Sequence, residues 1–130
     1  MSAKLYLTIA AVIAILYGIA FVVIPAEMLQ PYGTLPEPHV ILAIRLLGLA
    51  FLSFGLILWF ARDFQDWSAV RGVLIGTVVG DAIGGLVIAW ATIQGTVNTL
   101  GWANVVLYAL LVLGALYCLS MGSRKLAPAH

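Results

Sequence analysis

Two charged residues lie well inside long apolar segments of the chain, and they are the first candidates for chemistry. Arg45 lies in the second of these segments and Asp81 in the third. A charge near the centre of a membrane-spanning helix costs about 2.5–3.5 kcal/mol on insertion scales, so it needs a partner or a function. The rise per residue of a helix places both residues in the same half of the membrane. Their depths differ by a distance that an arginine side chain can span. We predict that Arg45 and Asp81 form an ion pair between neighbouring helices.

Further polar residues fall at a similar depth. Tyr17 lies in the first segment and Tyr108 in the fourth, with Asn104 one helical turn from Tyr108. Every segment thus contributes a polar group at roughly 8–14 Å from the same surface. His39, in the loop before the second segment, lies above this layer. The candidate ligand-binding residues are therefore Arg45, Asp81, Tyr17, Tyr108, Asn104 and His39.

Two interpretations of this polar layer stay open. In the first, the two charges neutralise each other and the tyrosines satisfy the remaining donors and acceptors, which fixes the register of the helices. In the second, the layer lines a cavity in which Arg45 binds an anionic or carbonyl head group and lipid-like tails lie between the helices. A balanced pair of charges is a common structural device, whereas an ionisable residue within a membrane span is by default a candidate functional site.

Most catalytic and cofactor chemistry is excluded by residues that the chain lacks. His39 and His130 are the only histidines, so facing helices cannot supply two histidine ligands to haem, and no cluster has the spacing of a zinc site. Cys118 is the single cysteine, which excludes an internal disulfide. The formal net charge of +1 gives no reason to expect nucleic acid as a partner. We predict a protein without catalytic residues, bound metal or cofactor, and not an enzyme.

The composition indicates the elements that carry these residues. The chain is 64% hydrophobic and 8% charged, against about 45–50% and about 25% in soluble domains. Four stretches reach the length of about 20 apolar residues that a helix needs to cross a membrane. We predict an all-α fold, with residues 1–130 forming one antiparallel bundle of four transmembrane helices. The predicted spans are residues 5–24, 40–60, 69–90 and 102–121.

The distribution of basic residues predicts the orientation. Five basic residues lie at the span ends next to the two termini and the second loop. They are Lys4, Arg62, Arg71, Arg124 and Lys125. The first loop contains two glutamates without a lysine or arginine, and the third loop is uncharged. Because basic residues favour the cytoplasmic side, both termini are expected in the cytoplasm.

The loops give two further expectations. The second loop, with the sequence ARDFQDW, is short, so the second and third helices should be antiparallel neighbours. The first loop, residues 26–39, is rich in proline and includes Gly33. We expect it to form a solvated turn, with a lid folded over the outer end of the bundle as the alternative.

Glycines recur every four residues along the third span. Small residues at this spacing allow close approach of helix backbones in lipid. We expect the third helix to be central in the bundle and its stripe to pack within the chain, with a contact between subunits as the alternative. Gly48, Gly55 and Gly114 suggest further close contacts on the second and fourth helices. The helix-packing candidates are Gly72, Gly76, Gly80 and Gly84.

Four segments of the chain resemble a group of small four-helix bacterial membrane proteins that are loosely DoxX-like. They are LYGIAFVVIPAEMLQPYG, AIRLLGLAFLSFGLILWFARD, GVLIGTVVGDAIGGL and ALLVLGALYCL. The resemblance covers nearly the whole chain and consists of hydrophobic spacing, glycines and Arg45. It implies a four-helix bundle in the bacterial inner (cytoplasmic) membrane and carries over no catalytic residue. Association of some members with quinone or thiosulfate oxidation complexes implies an accessory-subunit role as one option.

The sequence leaves several functions open. The first is a non-enzymatic integral membrane protein that binds a hydrophobic ligand, either lipid or quinone. Within this class, the protein could instead act as an accessory subunit of a larger membrane complex. The alternative is a small-solute or proton-coupled transporter that works as a homo-oligomer and uses Asp81 as its coupling group. A third option, given less weight, is a membrane enzyme that acts on lipid or quinone. In each case the expected surroundings are membrane lipids, and nucleic acid is not expected as a partner.

Overall fold

The computed structural model describes residues 2–122, so Arg124, Lys125 and His130 lie outside the described part. The described chain is helical, and its long helices begin at residues suited to that position. Ser2 accepts a hydrogen bond from the backbone N–H of Leu5, and Asp66 accepts one from that of Ser68. Proline stands at the first position of two other helices. The helices are α1 (Ala3–Val23), α2 (Pro25–Leu29), α3 (Pro38–Ala61), α4 (Trp67–Ile93) and α5 (Gly101–Met121), with a 3₁₀ turn at Gln30–Tyr32 between α2 and α3.

Four of these helices are long and apolar enough to cross a membrane. They are α1, α3, α4 and α5, and they coincide with the predicted spans to within three residues at each end. The all-α four-helix fold is therefore confirmed, and the protein belongs to the multi-pass membrane class. One end of the bundle, where α1 and α4 begin and α3 and α5 finish, is called the terminal end below. The opposite end is called the lid end.

The bundle is built from two helix pairs, α1 with α3 and α4 with α5. Glycines on both helices make the first pair close. A Cβ atom added to Gly18 would lie 2.7 Å from the carbonyl oxygen of Gly48, and one added to Gly55 would lie 2.9 Å from the backbone nitrogen of Ile15. The expected close contact of α3 at Gly48 and Gly55 is confirmed, and its partner is α1.

The predicted adjacency of the second and third spans is wrong. Although a short loop joins them, α3 and α4 scarcely touch within the described residues. The physical reason is that the glycine face of α3 already packs on α1, whereas α4 packs mainly on α5. For the same reason α4 is not the central helix of the bundle.

The two pairs are packed together at the terminal end. The buried core contains Tyr6 and Leu7 of α1, Leu58 of α3, Leu74 of α4 and Cys118 of α5. The hydroxyl of Tyr6 donates a hydrogen bond of 2.9 Å to the carbonyl oxygen of Leu111 and so links α1 to α5. At the mouth of this end, Lys4 forms an exposed ion pair of 3.2 Å with Asp63 in the loop before α4. Toward the lid end this continuous core gives way to a cavity.

The segment between α1 and α3 covers the lid end. Helix α2 buries Pro25 and Leu29, and the 3₁₀ turn that follows is fixed to the loop between α4 and α5. Asn98 donates a side-chain hydrogen bond of 2.7 Å to the carbonyl oxygen of Pro31 and a backbone one of 3.3 Å to that of Tyr32. The solvated turn is therefore wrong for residues 25–34, which take the alternative form of a lid, whereas residues 35–39 are exposed as expected. Residues 25–34 form what we call the lid.

The glycine stripe on α4 does not pack within the chain along most of its length. A Cβ atom added to Gly72, Gly76 or Gly80 would meet no atom of the described chain within 4 Å. Only Gly84 packs as expected, against the ring of Tyr108, whose Cζ would lie 3.0 Å from such a Cβ. The expectation of intramolecular packing is wrong for the other three because α4 turns a different face, with Val70, Leu74 and Thr77 buried, toward its neighbours.

Candidate functional site

A cavity of about 440 Å³ lies beneath the lid, between the two helix pairs. All four long helices and the lid contribute to its wall. Its size falls within the range of small-molecule sites, about 300–1,000 Å³. The wall is formed by Ile13, Tyr17, Phe21, Met28, Leu29, Tyr32, Thr34, Ile44, Leu47, Phe51, Gly84, Val87, Ile88, Ala91, Val97, Asn104, Leu107, Tyr108 and Leu111.

Three of the six candidate ligand-binding residues meet in this wall. Tyr17 reaches it from α1, and Asn104 and Tyr108 reach it from α5. The side-chain amide of Asn104 donates a hydrogen bond to the hydroxyl of Tyr32 in the lid. The polar layer expected from the sequence is thus present on α1 and α5, and the lid adds a hydroxyl to it.

The hydroxyls of Tyr17 and Tyr108 differ from those of Tyr6, in the core, and Tyr32, in the lid. Tyr6 donates to a backbone carbonyl, and Tyr32 accepts from Asn104. Within residues 2–122, the Tyr17 and Tyr108 hydroxyls have no such partner. A hydroxyl in apolar surroundings gains free energy from any hydrogen bond that it can make. These two groups are therefore available to a molecule in the cavity.

Aromatic rings form the side of the cavity that α1 and α3 contribute. The rings of Tyr17 and Phe21 meet edge to face with centroids 5.7 Å apart, and those of Phe21 and Phe51 lie 5.8 Å apart. Such contacts hold each ring in a defined orientation. The result is a fixed apolar wall opposite Tyr108.

The predicted ion pair between Arg45 and Asp81 is wrong. Arg45 is exposed on α3, and its Nε donates a hydrogen bond of 3.3 Å to the carbonyl oxygen of Val22. That carbonyl belongs to the last turn of α1, where backbone oxygens lack partners within the helix and carry the negative end of the helix dipole. The close pairing of α1 with α3 places the guanidinium beside this helix terminus and away from α4. Arg45 therefore stabilises the end of α1 and does not line the cavity.

Asp81 lies inside the bundle, one helical turn from Gly84 toward the terminal end. It follows Leu74 and Thr77 on the inward face of α4 and is partly buried. Within the described residues it takes part in no ion pair or hydrogen bond. Asp81 is therefore just below the cavity rather than in its wall.

His39 also lies outside the cavity. Its Nε2 is 3.3 Å from a carboxylate oxygen of Glu37, and both side chains are exposed at the start of α3. Neither residue is part of the cavity wall. A shallow depression of about 400 Å³ on the lid is formed by residues of the first loop alone, such as Glu27 and Gln30. The helix bundle contributes nothing to it.

The residues that sequence reasoning missed are those of the lid and the aromatic wall. Tyr32 precedes Gly33, whose positive φ of 74° ends the 3₁₀ turn, and this turn directs the preceding residues over the bundle. The proline-rich first loop was the sequence feature that could have indicated the lid, because a stiff segment with an aromatic residue is suited to covering a cavity. Phe21 and Phe51 are ordinary apolar residues of spans, and nothing in their spacing distinguishes them from lipid-facing neighbours.

The wall contains no charged side chain among the described residues, and its polar groups are hydroxyls and one amide. No group of three His, Cys, Asp or Glu side chains that could hold a metal is found in residues 2–122. Fold and site together define a four-helix membrane protein with a lidded, largely apolar cavity. Comparison with family models, curated proteins and solved structures gives no match for this chain.

Proposed function

We propose that this protein binds a hydrophobic ligand, of the lipid or quinone class, in the cavity beneath the lid. The observation that carries the proposal is the position of the cavity: it lies between spans, has a mainly apolar wall and contains two tyrosine hydroxyls without partners in the described chain. Sites for small molecules commonly combine such a wall with a few convergent polar groups. The proposal is of binding and not of catalysis, because hydroxyls and an amide provide no activated nucleophile.

The energetics of the membrane explain why the polar groups of the wall contribute most to selective binding. An apolar chain gains little by moving from lipid into an apolar cavity, since both surroundings lack water. Selective binding must then come from packing and from hydrogen bonds, each of which contributes about 1–2 kcal/mol in model membrane peptides. Tyr17, Tyr108 and the lid supply the hydrogen-bonding groups.

The proposed setting is a bacterial cytoplasmic membrane, with the lid end on the outer side. The basic residues Lys4, Arg62 and Arg71 are at the terminal end, and the loops at the lid end have no lysine or arginine. This asymmetry supports a cytoplasmic terminal end. The resemblance to DoxX-like proteins is the support for a bacterial source.

Native mass spectrometry of protein extracted gently from its own membrane tests the proposal. We expect the wild-type chain to retain an apolar molecule. Ala91→Phe, which fills the cavity, should lose it, whereas Ala109→Phe, on an exposed position of α5, should keep it. Retention of the same molecule by both variants, or by none of the three proteins, would contradict the proposal.

Asp81 favours a second candidate function, a proton-coupled or small-solute transporter. A carboxylate within a span that has no ion partner in the described chain is expensive to keep and is typical of coupling groups. A transporter of this kind should lose substrate-driven proton movement in proteoliposomes on Asp81→Asn while still folding. An unchanged proton flux would exclude this candidate.

A further inference from the structure

The cavity wall distinguishes between head groups of different charge. Its polar members are Tyr17, Tyr32, Thr34, Asn104 and Tyr108, and the described wall contains no lysine, arginine, histidine, aspartate or glutamate. Arg45 is the cation within the spans that was expected to contact a ligand. It instead donates a hydrogen bond to the end of α1, on the outside of the bundle. An anionic head in the cavity would therefore be desolvated without a counter-charge.

One acidic side chain lies inside the bundle just below the cavity. Asp81 lies one helical turn from Gly84 but is not itself part of the wall. A cationic head would also lose its hydration, and the described wall has no acidic side chain to pair with it. A hydrogen-bonding head without charge meets neither penalty.

The wall also shows where the cavity opens. Of the nineteen residues that form it, only Leu47 and Val87 are exposed, at 43% and 63%. Leu47 is on α3 and Val87 is on α4, two spans that scarcely touch. The other sides are closed by Gly18 against Gly48, by Tyr108 against Gly84, and by the lid.

The charge of the wall and the position of its opening define a class of ligand, and this step rests on the proposed function. We infer that the cavity takes an amphiphile with an uncharged, hydrogen-bonding head and an apolar chain, and that this molecule enters from the bilayer between α3 and α4. Its head lies among Tyr17, Tyr108 and the hydroxyl of Tyr32. Its chain passes Leu47 and Val87 into the surrounding lipid.

Three photoactivatable probes with the same diazirine-bearing oleoyl chain test the head group. They are 1-oleoylglycerol (uncharged), oleoyl lysophosphatidic acid (anionic) and oleoylcholine (cationic), each added to phosphatidylcholine vesicles that contain the full chain. Labelling that is blocked by Ala91→Phe measures occupancy of the cavity. We expect the uncharged probe to label about tenfold more than the anionic one, the effect of about 1.4 kcal/mol. Equal or stronger labelling by either charged probe would overturn the inference about the head.

Paired tryptophan substitutions test the route by which the ligand enters between α3 and α4. Leu47→Trp combined with Val87→Trp should lower cavity labelling by the uncharged probe severalfold, because indole rings would narrow the opening. The matched control combines Leu46→Trp with Leu86→Trp, at exposed neighbouring positions that are not in the wall, and should leave labelling unchanged. Equal labelling of both double variants would overturn the route. Absence of labelling sensitive to Ala91→Phe with all three probes would instead refute the proposed function itself.

Discussion

The side-chain amide of Asn104 donates a hydrogen bond to the hydroxyl of Tyr32, which lies 72 residues earlier in the chain. Asn104 is in the first turn of α5, and Tyr32 ends the 3₁₀ turn of the lid. This bond and the two from Asn98 hold the lid over the cavity. The lid is thus attached to the second helix pair although the chain connects it to the first.

Removal of the Tyr32 hydroxyl should loosen the lid. Tyr32→Phe leaves the ring in place but removes the acceptor of the Asn104 amide, at a cost of about 1 kcal/mol. We expect amide hydrogen exchange in residues 29–34 to become about fivefold faster, since local opening follows this free energy. Ser53→Ala is the control, because Ser53 is exposed on α3 and lies outside the cavity wall. Exchange rates in Tyr32→Phe equal to those of the wild type would show that the bond does not hold the lid.

Two glycine substitutions should differ clearly in their effect on stability. In Gly18→Ala, the new Cβ would lie 2.7 Å from the carbonyl oxygen of Gly48 and from the backbone nitrogen of Leu52. Neither backbone atom can move freely, so we expect a loss of about 1–3 kcal/mol, as in overpacked cores. The new Cβ of Gly76→Ala would lie within 4 Å of no atom outside its own helix backbone. This substitution should therefore leave the free energy of unfolding unchanged or raise it. Unfolding of both variants in mixed micelles, followed by circular dichroism, measures the difference.

The Gly76→Ala variant also tests the remaining interpretation of the glycine stripe. A lower stability, or a shift to a smaller particle in size-exclusion chromatography, would show that Gly72, Gly76 and Gly80 contact a second copy. An unchanged particle and an unchanged or higher stability would show that this face of α4 meets lipid.

Arg45 and Asp81 should be energetically independent. Arg45 contacts the end of α1, and Asp81 faces the interior beneath the cavity. In a double-mutant cycle with Arg45→Gln and Asp81→Asn, we expect the effects on unfolding free energy to add within about 0.5 kcal/mol. A coupling clearly larger than this would mean that the two side chains interact in the membrane.

The absent ion pair between Arg45 and Asp81 marks the boundary of what the sequence alone can predict. Span lengths and depths follow from hydrophobic runs and helix rise, so the four helices were predicted to within a few residues. Depth does not determine rotation about the helix axis or which helices are neighbours. Those depend on the contact of Gly18 with Gly48, which places α3 on α1.

The candidate site was predictable to the extent that it depends on depth. Tyr17, Asn104 and Tyr108 were found because they lie at similar levels in the half of the bundle next to the lid end. Tyr32 was not, since its contact with Asn104 is distant in sequence and requires the lid to fold over the bundle. The exposed position of Arg45 could not be predicted either, because its contact with the carbonyl of Val22 forms only when α1 and α3 are packed together.

The hydrogen bond between Tyr6 and Leu111 should contribute to the joining of the two helix pairs. Tyr6→Phe removes a bond of 2.9 Å between a buried hydroxyl and a backbone carbonyl. We expect a loss of about 1 kcal/mol in unfolding free energy, with the helix content unchanged. Ser53→Ala, at an exposed position of α3, is the control. A Tyr6→Phe variant as stable as the wild type would show that apolar packing alone joins the pairs.

The central claim is that an apolar ligand lies beneath the lid, between the helix pairs, and peptide mapping of photolabelled protein tests it most directly. The mixture of the three oleoyl probes in vesicles makes the measurement independent of the head group. We predict adducts on residues of the cavity wall, such as Tyr32, Leu107 and Tyr108, which disappear in Ala91→Phe. Adducts confined to the exposed apolar residues Leu16, Leu86 and Leu113, with none in the wall, would contradict it.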